Sequence, residues 1–102
     1  MIVLYTTVEK LEQAERIAEI LLAEHLVACA NMWPIRSMYT FKEKMTKSDE
    51  IGMYLKTSSE RQEAVYKKLI ELHPYECPAI ITMKVEHTHP AFSQWVCEQT
   101  NY

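Results

Sequence analysis

Residues 27–57 read VACANMWPIRSMYTF, KEKMTKSDE and IGMYLKT, and the fold turns on how this run is divided. The first part is strand-like on both sides of Pro34, and the last part returns as a strand. Between them, residues 42–50 are polar and turn-like. The division predicts two long antiparallel strands joined by a charged tip. Pro34 has no N–H to give a ladder, so it belongs on a sheet edge or at a bulge.

Working outward, IVLYT at residues 2–6 is β-branched and apolar, and predicts a first strand. The run LEQAERIAEILLAEHLVA then sets Leu11, Ala14, Ile17, Ala18, Leu21 and Leu22 at helical spacing. Thr6 or Thr7 is its expected cap, with Glu9 three residues after Thr6. On the far side of the hairpin, Ser59 with Gln62 has the pattern of a capping box. It opens a second helix whose buried stripe is Val65, Leu69 and Leu72. AIITMKVE, residues 79–86, reads as a strand, and Pro90 starts a short helix with Phe92, Trp95 and Val96 on one face.

The order strand, helix, strand, strand, helix, strand predicts one domain over residues 1–102 of the α+β class. It is a ferredoxin-like βαββαβ sandwich with a long central hairpin and a C-terminal helix. Helices on one side leave the other face of the sheet to be covered. Trp33, Tyr39 and Tyr54, with Met32, Met38 and Met53, are too many large apolar groups to leave wet. An oligomer that packs sheet faces together is the expectation.

Composition narrows the function. A formal net charge of -3 argues against nucleic acid or an anionic membrane as partner. Apolar runs are far too short to span a bilayer, and MIVLYTT has no basic leader, so a cytoplasmic protein is expected. Three cysteines, Cys29, Cys77 and Cys97, cannot all pair within the chain, and their spacing fits no zinc module. A single glycine, Gly52, rules out a glycine-rich phosphate loop.

Several strings together resemble the CutA family of divalent-cation tolerance proteins. They are Ala28, Cys29 and Asn31, then Pro34, Ser37 and Tyr39, then Glu50 ahead of a strand ending in Lys56 and Thr57. His73 to Pro78 (HPYECP) and Trp95 complete the frame, which covers nearly the whole chain in order. The resemblance implies a homotrimer akin to the PII signalling proteins, a link to copper and other divalent ions, and a ligand cleft between subunits. Phe41 stands where that family has Trp, Glu43 where Gly is common, and Ala79 where Glu follows the second proline. HTHP replaces the family's glycine before the last helix.

Cys29 is the copper-associated cysteine of the resemblance, and its ordinary role is a small buried strand residue. A thiolate there would suit Cu(I), which selects soft ligands. His73 is the second metal candidate. Its spacing to Cys77 would share a helix face, but Pro74 drives His73 out of helical geometry, so no His–Cys clip is expected. His87 and His89 flank Thr88 at strand-like spacing, and a solvated turn is the simpler reading. Tyr39, Glu50, Lys56, Tyr75, Glu76 and Trp95 make the expected ligand cleft. No nucleophile with an adjacent base stands out, and Ser37 has no neighbouring acid or histidine in sequence.

The expected function is therefore that of a non-enzymatic homotrimer in copper and divalent-cation tolerance. It requires no cofactor and has weak metal contacts at Cys29 and His73. The alternative is a PII-like sensor that binds a small anionic metabolite in an inter-subunit cleft. A stable trimeric adaptor for another protein is the third reading.

Overall fold

A computed structural model of the chain describes residues 1–101. The order is β1 (Ile2–Val8), α1 (Leu11–Ala23), β2 (Cys29–Phe41), β3 (Lys44–Thr57), α2 (Gln62–Leu72), β4 (Ile80–Lys84) and α3 (Pro90–Gln99). The strands form one antiparallel sheet in the order β2-β3-β1-β4. This is the ferredoxin-like arrangement that the order of elements predicts. Pro34 lies on β2, an edge strand, where a missing donor costs no ladder bond on the open side.

Alternation along β1 decides the two faces. Ile2, Leu4, Thr6 and Val8 are buried, while Val3, Tyr5 and Thr7 are half-buried on the opposite side. Ile2, Leu4 and Val8 pack with Ala14, Ile17, Ala18 and Leu21 of α1, Val65 and Leu69 of α2, and Met53 and Leu55 of β3. Each fully buried aliphatic side chain of this kind contributes about 1.5–3 kcal/mol. Leu11 and Leu22 share helical spacing with the stripe, yet they sit at its margins and stay exposed.

Met53 and Met32 correct the face assignment made from composition. Met53 is fully buried in the helix-covered core, and half-buried Met32, paired with it, packs against the same core. The other face carries Trp33, Tyr54 and Tyr5, whose rings meet edge to face at centroid distances of 4.9 and 6.0 Å. Gly52 belongs to this face for a steric reason. A Cβ there would stand 3.2 Å from the Trp33 ring and 3.3 Å from Ile35 Cγ2.

The helix starts and stops differ from their expected positions. β1 runs through Thr6 and Thr7, so neither caps α1; the Gln13 side chain instead accepts from the Lys10 N–H at 2.9 Å. α1 stops at Ala23 because His25 takes a left-handed φ of 56°. The Leu26 N–H then bonds Leu21 O and the His25 N–H bonds Leu22 O, which closes the orphan carbonyls in a Schellman motif. Ser59 opens a 3₁₀ turn, Ser59–Arg61, ahead of α2 and makes no side-chain cap there. At α3 the cap is His89, whose Nδ1 accepts from the Ala91 N–H at 3.2 Å.

The hairpin is longer than its polar middle suggests. Lys44–Glu50 is strand, paired with Ile35–Phe41, and only Lys42 and Glu43 form the bend, at φ 50° and 65°. Two successive left-handed residues are the pattern of a tight hairpin turn, here built without glycine. β1 pairs β3 only over Ile51–Thr57, so the rest of the hairpin overhangs the sheet by roughly 20 Å. Met38, Tyr39, Phe41 and Met45 are exposed on this arm.

Candidate functional site

The site is built where α2 hands over to β4. Pro74 keeps His73 extended, at φ −70° and ψ 131°, and so ends the helix. The His73 ring turns back under β1. Its Nε2 lies 3.0 Å from the Thr7 carbonyl and 2.9 Å from the Thr6 hydroxyl, while Nδ1 accepts from the Tyr75 N–H at 3.1 Å. A carbonyl can only accept, so the proton is on Nε2 and the ring is neutral. Burial holds the His73 pKa below its ordinary value, against the opposing pull of the Thr7 bond and the Glu50 charge.

With His73 fixed, Tyr75 follows. Its ring stands 5.0 Å from the imidazole, and its hydroxyl donates to Glu50 Oε2 at 2.6 Å. Burial of Glu50 alone would favour its neutral form. Hydrogen bonds from Ser37, Tyr75 and Thr7 outweigh that, and its pKa falls below the usual carboxylate value. Tyr75 moves the other way: burial and then the Glu50 carboxylate push its phenol well above the ordinary range. The pair is therefore a charged acceptor and a firmly protonated donor.

Around it lies a cavity of about 630 Å³, lined by Thr7, Tyr39, Phe41, Glu50, Tyr75, Glu76, Cys77 and Ala79. Four of the expected cleft residues, Tyr39, Glu50, Tyr75 and Glu76, come together here. Lys56 and Trp95 do not. Lys56 is six residues from Glu50 on β3, so it shares the face but lies roughly 20 Å away. There its Nζ sits 5.6 Å from the centre of the Phe92 ring, which stacks on Trp95.

The two metal candidates are likewise separated. Cys29 pairs with Lys56, whereas His73 is bonded at Thr6 and Thr7, opposite Met53 and Gly52. The offset is about 13 Å along the strands. Cys29 is half-buried, and its thiol donates to Asn31 Oδ1 at 3.6 Å. Both nitrogens of His73 already have partners. Among the described residues, no three His, Cys, Asp or Glu side chains are grouped to hold a metal ion.

Thr7, Phe41, Cys77 and Ala79 are the lining residues that the sequence reading left out of the cleft. Thr7 was legible from the alternation of IVLYTT, which sends it to the face opposite Thr6. Cys77 is exposed and lies on the cavity wall.

Comparison with known proteins places this arrangement in a family. The profile of the CutA1 divalent ion tolerance protein family matches residues 2–99. The chain belongs to this family. It is 38% identical over 100 residues to the divalent-cation tolerance protein CutA of Pyrococcus horikoshii, with 98% of each chain covered. The Thermotoga maritima protein of the same name is 39% identical over 98 residues, covering 96% of this chain and 97% of that one. The crystal structure of CutA1 from Pyrococcus horikoshii superposes with a TM-score of 0.93 at 36% identity, covering 97% of both chains. The PII-like protein CutA from a Nostoc species, in apo form, gives 0.91 at 31% identity, covering 98% of this chain and 97% of that one. The family is named for tolerance of ions and not for a catalysed reaction.

The neutral state of His73 makes stability depend on pH with a definite sign. Its folded pKa is depressed, so the stabilisation is complete above the unfolded value of about 6.5. It is lost as pH falls from there through the folded pKa, because the unfolded chain binds the proton more readily. Urea unfolding between pH 7.5 and pH 5 is expected to show a falling midpoint, and His73→Gln is expected to flatten that fall. An equal slope in the variant would contradict the assignment.

Proposed function

We propose that this CutA1-family chain serves divalent-cation tolerance as a non-catalytic homotrimer that captures cations weakly, copper among them. The observation that carries this reading is the polarity of the cavity. Glu50 and Glu76 line it, and among the described residues no lysine, arginine or histidine does. A carboxylate kept ionised by three hydrogen-bond donors is an acceptor for a positive charge. The same observation counts against a small anion as ligand, because Lys56 lies at the other end of the strand.

Copper has a separate soft contact in the Cys29 thiol, which suits Cu(I). His73 can join a metal only by giving up the Tyr75 N–H or the Thr7 carbonyl, so its contribution is weak. Homotrimer formation is supported by the exposed or half-exposed Tyr5, Trp33, Tyr39, Tyr54, Ile81 and Met83. Alternation places all of them on the face opposite α1 and α2. The overhanging arm adds Phe41 on that face and Met38 and Met45 on the other. Three free thiols support a reducing compartment such as the cytoplasm. The Archaeoglobus fulgidus relative, of TM-score 0.93 and 35% identity, is named as periplasmic.

Two measurements test this reading. Titration with Cu(I) and Cu(II) is expected to show weak binding, with Cys29→Ala lowering Cu(I) affinity roughly tenfold and Glu50→Gln lowering Cu(II) affinity. Unchanged affinities in both variants would remove the named contacts. Sedimentation at micromolar concentration is expected to give three times the chain mass, and a folded monomer would contradict the assembly.

A further inference from the structure

The Glu50 cavity is much larger than a metal ion needs. At about 630 Å³ it has the size of a small-molecule pocket, whereas one water occupies about 30 Å³ of liquid. Its walls are of two kinds. Glu50 and Glu76 supply negative charge, while Tyr39, Phe41, Tyr75 and Ala79 supply aromatic and apolar surface. A bare or hydrated metal ion makes use of the first kind only.

An ammonium group on an aliphatic stem makes use of both. Its N–H groups donate to a carboxylate, and the ring faces attract the charge and cover the methylene groups. Glu50 is suited to the head group because hydrogen bonds from Ser37, Tyr75 and Thr7 fix the carboxylate in place and leave one of its about four acceptor sites open. Preorganisation of this kind lowers the ordering cost of binding. A quaternary ammonium would lack the hydrogen bond, and a carboxylate ligand would meet two like charges.

We propose that the cavity bounded by Tyr39, Phe41, Glu50, Tyr75 and Glu76 is a binding site for small primary alkylammonium compounds. The ammonium rests on Glu50 and the chain lies against the aromatic wall. This inference rests on the reading of the cavity as a cation site, and goes beyond it by naming an organic ligand that metal capture does not require.

The test is calorimetry and thermal unfolding of the full chain with n-butylamine at neutral pH. n-Butanol, sodium butyrate and tetramethylammonium chloride are matched controls at constant ionic strength. Saturable stabilisation by n-butylamine, exceeding that of every control, is expected. Glu50→Gln is expected to weaken it tenfold or more, and Lys56→Met to leave it unchanged. Should Glu50→Gln fail to fold, the exposed wall variant Glu76→Gln takes its place and is expected to weaken binding several-fold. Equal effects of n-butylamine and n-butanol would overturn the proposal, as would equal binding of tetramethylammonium or undiminished binding in the variant that folds. Parallel titration with copper and zinc ions separates the two readings. Metal binding without amine binding overturns this inference alone, and amine binding without metal binding overturns the metal reading alone.

Discussion

The hydrogen bond from Tyr75 to Glu50 is the contact on which the site depends. It joins the turn after α2 to the root of the overhanging hairpin, two segments 25 residues apart. Its geometry is set one step earlier, by Pro74 and the buried imidazole of His73. The imidazole holds the backbone of β1 with one nitrogen and the backbone of Tyr75 with the other. A helix end, a strand and a hairpin are thereby fixed to one another through a single neutral ring. The charged form of that ring would lose the acceptor that Tyr75 needs, so the neutral state and the geometry depend on each other.

A consequence is that the sheet face opposite α1 and α2 has two chemically different ends. At one end an ionised carboxylate, two phenols and a thiol surround an open cavity. At the other, Lys56 lies over the Phe92 ring, which stacks on Trp95, with Cys29 across the strand pair. Lys56 is kept at the far end of the same strand, and the ammonium at the hairpin tip, that of Lys42, lies over the Phe41 ring, 5.3 Å from its centre. A carboxylate with no neighbouring ammonium or guanidinium remains available to an external one.

Much of the fold was legible in the sequence because burial imposes periodicity. Ala14, Ile17, Ala18 and Leu21 repeat with the helix, and Ile2, Leu4, Thr6 and Val8 alternate with the strand. The hairpin arm was not legible as strand, because KMTKSDE has no buried side to write an apolar pattern. Alternation also explains how the site was half found. It shows that Glu50 and Lys56 share a face, but the rise of about 3.4 Å per residue separates them by several side-chain lengths. The helix stop at His25 and the cap at His89 use a residue type that carries little capping signal, so both were missed. Cys77 joined the cavity through the turn that Pro74 and Pro78 enclose, a matter of tertiary placement that spacing does not encode.

The central claim is that hydrogen bonds from Ser37, Tyr75 and Thr7 hold Glu50 ionised in the cavity. Carbon-detected NMR titration of the glutamate carboxyl groups tests it directly, in the native chain and in Tyr75→Phe. The account predicts that Glu50 titrates below the ordinary glutamate value of about 4.3, and that the variant moves it upward. A Glu50 that titrates at or above that value in the native chain, unchanged by loss of the phenol, would contradict it.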